Sequence, residues 1–430
     1  MAQDFRAQAE KKFAASDFMA ATPRSPETFM RYKHGLALAS LTLLAAASQQ
    51  AIASGPDFRV SGFGTAGVVQ IDQPGLEFRQ VGQTSGAGES ASFKPDSRLG
   101  VQLDSSFNPT FSATLQLLAK HSGQGDDQPR VEWAFGKAKL GGGFTVRAGR
   151  IGAPYFAVSD FREVGYANTW LRTPSDVYGQ VFFRSFDGAD LLYAGDVAGV
   201  PVTAQLLLGK TTLAYERTDI DFKNQVGVNL TAELADGVTL RLGHINGKLT
   251  VQSTTMKQLV GVLAATPFAS VGQQIDCTGR KASFTGVGLS LEKGNWVGST
   301  EYTQRKTACY VPDTTGWHVM AGYRFGSFTP YVMVSELRMN DSNVVNNIPR
   351  NVNVQLTTLA LTVDGLLNGV NTNQATQAVG VRWDAWRNVA VKAQYERVDT
   401  KGGYGLFRNV GGPRPTDPVN VLSLAVDFIF

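Results

Sequence analysis

The chain has 430 residues, 43% of them hydrophobic and 18% charged, with 46 Gly, 25 Phe and a formal net charge of +4. A mean hydropathy of −0.11 is too polar for a bundle of membrane helices, and past residue 47 no run approaches the roughly 20 apolar residues that such a helix requires. Lys and Arg (40) nearly balance Asp and Glu (36) without a basic stripe, which excludes a nucleic-acid partner and leaves selectivity to local arrangement.

Residues 35–47 form the longest apolar run. Arg31, Lys33 and His34 precede it and Ala51, Ile52 and Ala53 follow it, the order of a secretory signal cut after Ala53. Met30 would itself begin a signal of normal length, so residues 1–29 read as an over-extended start. Residues 54–430 are then one domain, holding 34 basic and 32 acidic residues.

From residue 54 onward, short segments of period-two alternation recur between turns. Sixteen strands are expected: 60–71, 97–104, 111–121, 130–140, 144–149, 188–195, 202–209, 225–234, 238–245, 284–292, 296–304, 317–325, 329–338, 378–384, 389–398 and 422–430. Every second connection is a tight Gly, Asn or Asp turn, such as Gly141-Gly142-Gly143 and Lys293-Gly294-Asn295. Those between are longer, chiefly 72–96, 150–187, 250–283, 339–377 and 399–419. An even number of antiparallel strands with short turns at one end and long loops at the other describes an all-β transmembrane barrel. Residues 352–363 are a candidate for one more strand pair, which would raise the count to eighteen. The last segment puts Leu422, Leu424, Val426, Phe428 and Phe430 on one face and Ser423, Ala425, Asp427 and Ile429 on the other, as a wall between lipid and water requires.

Two stretches carry a family likeness. Ser97-Arg98-Leu99-Gly100-Val101 through Leu115-Gln116-Leu117, and Arg130 through Ala148-Gly149-Arg150, resemble the general bacterial outer-membrane porin motifs written SRLG…FQL and R..FVGL…G.LR.GR. The ending in Phe428 and Phe430 resembles the assembly signal of that family. The likeness covers about the first 140 mature residues and the final strand; the middle matches by rhythm alone. It implies a sixteen-stranded barrel in the Gram-negative outer membrane, lipid around it, a homotrimer, insertion by the barrel assembly machinery, and a third outer loop folded inward as a constriction for small hydrophilic solutes.

Strand parity assigns an inner wall. Leu99, Val101 and Leu103 face lipid, so Arg98, Gln102 and Asp104 face the lumen; Val131, Trp133 and Phe135 face out, with Arg130 and Glu132 inside; Phe144, Val146 and Ala148 face out, with Arg147 inside. Arg150 falls at the start of the inserted loop, and Arg241, Arg324, Arg382 and Lys392 line the lumen. A charge facing lipid at the midplane costs roughly 2–4 kcal/mol, which is what gives parity its force. The insertion at 152–180 holds Asp160, Glu163 and Asp176, and a neck is expected where Arg98, Arg130, Arg147 and Arg150 oppose these carboxylates. Tyr155, Phe156, Phe161, Tyr166 and Trp170 are expected to pack this loop against the wall. Trp133, Trp296 and Trp317 read as interfacial residues.

Cys277 and Cys309 lie 17 and 15 residues from a hairpin turn near Gly294. Folding brings them opposite each other, within reach of a disulfide that export permits. The mature segment has only His121, His244 and His318 and no HExxH, GxSxG or Walker motif, so neither catalytic residues, a metal site nor a cofactor is expected. The function expected is passive diffusion of small hydrophilic solutes and ions. The alternatives are an anion- or sugar-selective channel, a barrel hydrolase using His244 or His318 as base, and an adhesive barrel with filled outer loops.

Overall fold

The computed structural model describes residues 56–430 except 341, so the expected signal at 1–53 lies outside the described residues. Sixteen strands form one closed antiparallel barrel. In chain order they are β1 (Asp57–Ile71), β2 (Arg98–Ser106), β3 (Phe111–Lys120), β4 (Arg130–Gly141), β5 (Phe144–Gly152), β6 (Ser185–Val197), β7 (Val200–Tyr215), β8 (Thr218–Ala235), β9 (Val238–Ser253), β10 (Arg280–Lys293), β11 (Trp296–Thr307), β12 (Thr314–Tyr323), β13 (Phe328–Met339), β14 (Gln374–Trp386), β15 (Val389–Asp399) and β16 (Val419–Ile429). Each pairs with its chain neighbours, and β1 pairs with β16 to close the ring.

At one end the connections are tight turns. In the turn at 142–143, Gly142 and Gly143 take φ of 57° and 84°, the left-handed pair that a two-residue hairpin favours. The other end carries the long connections, with one exception. The stretch 210–224, expected as a loop, instead continues β7 and β8 to a two-residue turn. Its apolar residues Leu213, Tyr215, Ile220 and Phe222 turn inward and polar residues such as Lys210, Thr212 and Lys223 turn outward, so it lacks the apolar outer face by which the rest of the wall is read.

The expected outward parity holds on the strands other than β4. Leu206, Leu208, Val228, Val332, Leu422 and Leu424 are exposed, while Ser423, Ala425 and Asp427 on the opposite face of β16 are buried. At the seam the Phe430 amide and carbonyl bond the Gly62 carbonyl and amide at 3.0 and 2.8 Å. A Cβ on Gly62 or Gly64 would strike the Phe430 or Phe428 ring, so these glycines make room for the terminal aromatics. Trp296 stacks edge-on to Tyr323 and Phe328 lies over Trp383 near the turn end, where an aromatic girdle is favourable.

Trp133 and Phe135 do not face lipid. The β3–β4 register slips between Gln116↔Trp133 and Leu117↔Val131, leaving Glu132 unpaired. One such bulge reverses the parity of everything beyond it. Val131 and Arg130 keep their expected faces, whereas Trp133 and Phe135 turn inward to join an apolar cluster.

Residues 352–363 are not a strand pair. They enter helix α4 (Val354–Gly369), which Asn353 caps by accepting from the Leu356 amide at 2.8 Å. Leu356, Ala360, Val363 and Leu367 recur at helical spacing and pack against helices α2 (Thr254–Ala264) and α3 (Ala269–Ile275) of the fifth outer connection. A one-turn helix, α1 (Ser175–Tyr178), lies in the third. No helix among the described residues is long and apolar enough to cross a membrane. Cys277 and Cys309 form a disulfide with Cα atoms 5.0 Å apart, tying the fifth outer connection to the sixth.

Candidate functional site

The third outer connection, residues 153–184, touches inner-face side chains on most of the ring. It is the candidate site because its residues meet charged and apolar side chains of the inner wall on both sides of the ring.

On one side its seating is apolar. Tyr155, Phe156, Val177, Tyr178, Val181 and Phe183 pack with Phe135, Ile151, Phe186, Leu207, Phe222, Ile245 and Phe284 from strands β4 to β10. Phe156 stacks on Tyr178 with centroids 4.5 Å apart and meets the Phe284 ring edge-on at 5.1 Å. Tyr155, Phe156 and Trp170 are each 3% exposed or less, which is packing and leaves no sliding surface on those rings.

Toward β11–β16 and β1 the seating is chiefly polar, with Trp170 packed among Met320, Tyr331 and Met333. Lys392 Nζ donates to the carbonyls of Gly165, Asn168 and Trp170 at 2.7, 2.7 and 2.9 Å and pairs with Asp427 at 2.9 Å. Thr65 on β1 donates to the same Asp427 at 2.6 Å. Arg172 grips Asp96 through Nε and Nη2 at 3.2 and 2.7 Å, reaches Glu396 and Ser423, and lies 4.5 Å above the Phe78 ring. Burial works against the Asp96 carboxylate, but Arg172 overcomes it and holds the group below its usual range. Arg382 donates to the Tyr166 and Asn168 carbonyls, and Glu301 on β11 accepts from the Ala157 amide and the Tyr178 hydroxyl; on the opposite, mainly apolar side Arg241 of β9 donates to the Pro154 carbonyl.

Asp176, expected to oppose arginines, is buried against Ser335 and Gln374, which donate to it; burial raises its pKa, and those donors, with Thr376, offset part of the rise. Asp160 is exposed on the loop.

Glu163 is the one loop carboxylate that meets a group of bases. Lys120 stands 2.6 Å away, Arg184 2.9 Å, Arg98 3.7 Å and Arg162 3.8 Å. Burial alone would raise this carboxyl, but Lys120, Arg184, Arg98 and Arg162 together hold it well below the ordinary carboxylate range.

Of the four arginines expected to form the basic wall, Arg98 alone reaches this carboxylate. Arg147 pairs with Asp190 on β6, its guanidinium 5.3 Å from the Phe135 ring centre. Arg130 pairs with Asp126 near the outer rim. Arg150 belongs to β5, and an unbroken register puts it on the face opposite Arg147 and Ile151, paired with Asp187. Arg324 pairs with Glu292 at the turn end. The sequence reading passed over Lys120 and Arg184 as partners of Glu163. Carrying parity on from Gln116 through Leu118 would have turned Lys120 inward.

A cavity of about 460 Å³ opens beside this cluster, where β5 and β6 leave the wall. Lys120, Arg130, Glu132, Arg150, Arg184 and Phe182 are among its lining. His121, also lining it, lies with Nε2 2.9 Å from Ser85 Oγ and Nδ1 3.0 Å from Asp127 Oδ1. His244 contacts Thr285, and His318 is buried beside Ser299 and Trp170.

A closed sixteen-stranded antiparallel barrel with an apolar exterior and charged inner wall is the fold of outer-membrane porins. The solved structures it is similar to include OmpF of Salmonella typhi in complex with daunomycin (15% identity, TM-score 0.53, 88% of this chain and 99% of that one). Others are the outer membrane channel DcaP of Acinetobacter baumannii (9%, 0.53, 89% and 99%) and an anion-selective porin from Comamonas acidovorans (10%, 0.51, 87% and 100%). At these identities the likeness is one of fold. No family model and no curated protein matches the chain.

Proposed function

We propose that this chain is a channel of the Gram-negative outer membrane through which small hydrophilic solutes and ions diffuse passively. The observation that carries the reading is a closed ring, apolar toward lipid and charged within, whose lumen is crossed by a loop fixed at many points to the inner wall. A fixed loop sets a constant aperture, as a sieve without a gate requires. The outer membrane channel DcaP and the anion-selective porin share the fold and support this reading. Export by the segment 1–53, recognition of the Phe428 and Phe430 ending by the barrel assembly machinery, and a homotrimer belong to the same proposal. Purified protein in planar bilayers is expected to give ohmic single-channel steps, three at a time for a trimer. Heat-modifiable, folded protein without conductance would falsify the reading.

A hydrolytic reading has one observation in its favour, the Ser85–His121–Asp127 chain of contacts at the cavity. It requires Ser85 Oγ to attack an ester carbonyl while His121 takes the proton and later delivers it to the leaving alcohol, with water releasing the acyl group. Turnover of p-nitrophenyl acetate lost in both Ser85→Ala and His121→Asn would favour it. Equal rates in all three proteins would dismiss it.

A further inference from the structure

The outer face of strands β7 to β11 carries a row of lysines, one on each strand: Lys210, Lys223, Lys248, Lys281 and Lys306, all exposed. Parity turns them away from the lumen. Their chain neighbours Phe222, Leu249 and Ala282 belong to the inner apolar cluster, and Arg305 donates inward to the Gln180 carbonyl. Lys248 stands directly opposite Lys223 on one side and Lys281 on the other, while Lys306 is opposite Ser283, the next outward residue from Lys281. Side chains so placed have Cβ atoms about 5 Å apart, where like charges repel. Relief from within the chain is partial. Asp221 pairs with Lys223 at 3.1 Å, and the Asp187 that faces Lys210 is already held by Arg150. Among the described residues no ion pair or side-chain hydrogen bond reaches Lys248, Lys281 or Lys306.

The height of the row names its surroundings. Lys306 lies ten residues beyond Trp296 of the turn-end girdle. At about 3.4 Å per residue and a tilt of about 40° that is about 26 Å along the barrel axis, against an apolar band about 25 Å tall. Below the lysines on the same strands are the exposed Leu208, Val226, Leu242, Val287 and Tyr302, with Asn246, Ser283 and Gln304 as a polar collar between. The ammonium groups therefore stand where acyl chains give way to headgroups. A second copy of the chain would need an acidic stripe to cover them, and the outward carboxylates Glu336 and Asp399 are already paired with Arg338 and Lys401.

We propose, on the outer-membrane placement contained in the channel reading, that this row docks the phosphorylated headgroup of an outer-leaflet glycolipid, the lysines binding its phosphate monoesters directly. Each such phosphate carries a charge of about −1.5 to −2 and three acceptor oxygens. An ammonium on a flexible stem has three donors and can follow phosphates whose positions vary from lipid to lipid. Binding removes the repulsion between Lys223, Lys248 and Lys281, so the strain of the empty row adds to the affinity. Lysines that meet phosphate directly also take the place of bridging divalent cations along this wall.

The test mixes the folded protein, its barrel checked by heat-modifiable migration, with diphosphoryl lipid A in detergent containing EDTA and reads retention by native mass spectrometry. Wild type is expected to hold the lipid without divalent cations. Lys248→Gln with Lys281→Gln weakens retention about thirtyfold, each lysine at headgroup level counting for roughly fivefold. Lys248→Arg with Lys281→Arg keeps it. Arg338→Gln with Arg397→Gln removes the same charge from the outward face of β13 and β15 and leaves retention unchanged; an equal loss there reduces the effect to net charge and overturns the site. Wild-type retention that requires magnesium, or equal retention of the dephosphorylated lipid, overturns it as well. Copies that separate in the Gln pair while lipid A stays bound assign the face to a second copy instead. If the Gln pair does not fold, the magnesium and dephosphorylation arms decide on wild type. Protein that holds lipid A in this way but gives no conductance overturns the channel reading and leaves the docking face standing.

Discussion

The third connection is seated by two different kinds of contact on its two sides. Toward β4–β10 it interlocks chiefly through aromatic and aliphatic side chains; toward β11–β16 and β1, apart from Trp170 among Met320, Tyr331 and Met333, it is held by buried ion pairs and main-chain carbonyls. Apolar packing is nearly indifferent to direction and tolerates small slips, whereas a buried cation facing three carbonyls accepts one position only. The first supplies adhesion and the second supplies register. A pore whose aperture is fixed by a loop needs both.

The sharpest way to separate them is to break each side once. Arg172→Ala strands Asp96 and Glu396 in a dry site, and breaking such a pair costs about 3–5 kcal/mol. Phe156→Ala leaves a cavity at a cost of about the same size. The two differ in pH response. Without Arg172 the buried Asp96 carboxyl has a folded pKa above its unfolded one, so its share of stability is present at low pH and lost as pH rises. The deficit of Arg172→Ala should therefore narrow between pH 7 and pH 4 in urea unfolding followed by heat-modifiable gel migration. The deficit of Phe156→Ala should not. Equal pH responses would erase the distinction between the two sides.

A second test asks whether the ionic side supplies register or strength. Lys392→Met alone leaves Asp427 uncompensated, while Lys392→Met with Asp427→Leu replaces the pair by apolar groups, a change that is often neutral. The double variant should regain most of the lost stability yet show a wider spread of single-channel conductance, because the carbonyls of Gly165, Asn168 and Trp170 lose their common donor. A narrow conductance distribution in the double variant would refute the register role.

Smaller effects belong to the rim. Arg130 and Asp126 are each about two-fifths exposed, and a pair of that kind contributes about 0–1 kcal/mol; Arg130→Ala should unfold within about 1 kcal/mol of wild type. The smallest expected effect is none. A carboxylate with a depressed folded pKa contributes stability above its unfolded value and loses it only as pH falls through the folded one. Glu163 is held well below 4.5, so a conductance step owed to this carboxyl should be missing between pH 7 and 4.5, and Glu163→Gln should leave the pH profile in that window unchanged. A step in that window that Glu163→Gln removes would mean that the four bases do not surround it in solution.

The ring was legible in the sequence because the membrane enforces alternation: all sixteen strands fall where the pattern places them, and the Cys277–Cys309 bridge follows from counting outward from a turn. Legibility failed where that constraint lapses. The hairpin around 210–224 is apolar on its inner face and polar on its outer one, α4 is apolar without being a strand, and a single unpaired Glu132 turned Trp133 and Phe135 to the wrong side. The loop's own residues were visible, its partners were not. Arg172 meets Asp96 and Glu396 across 76 and 224 residues, and no local spacing encodes such a meeting.

The anchor at Lys392 has a consequence for the order of events in assembly. Its components come from β15, from β16 through Asp427 and from β1 through Thr65, so it straddles the seam where the last strand meets the first. Lys392 and Asp427 already meet on neighbouring strands, but until Phe430 pairs with Gly62 the Thr65 hydroxyl is not beside Asp427. The loop therefore cannot complete its seat in an open sheet: closure supplies the last partner, and the aperture is settled only with it.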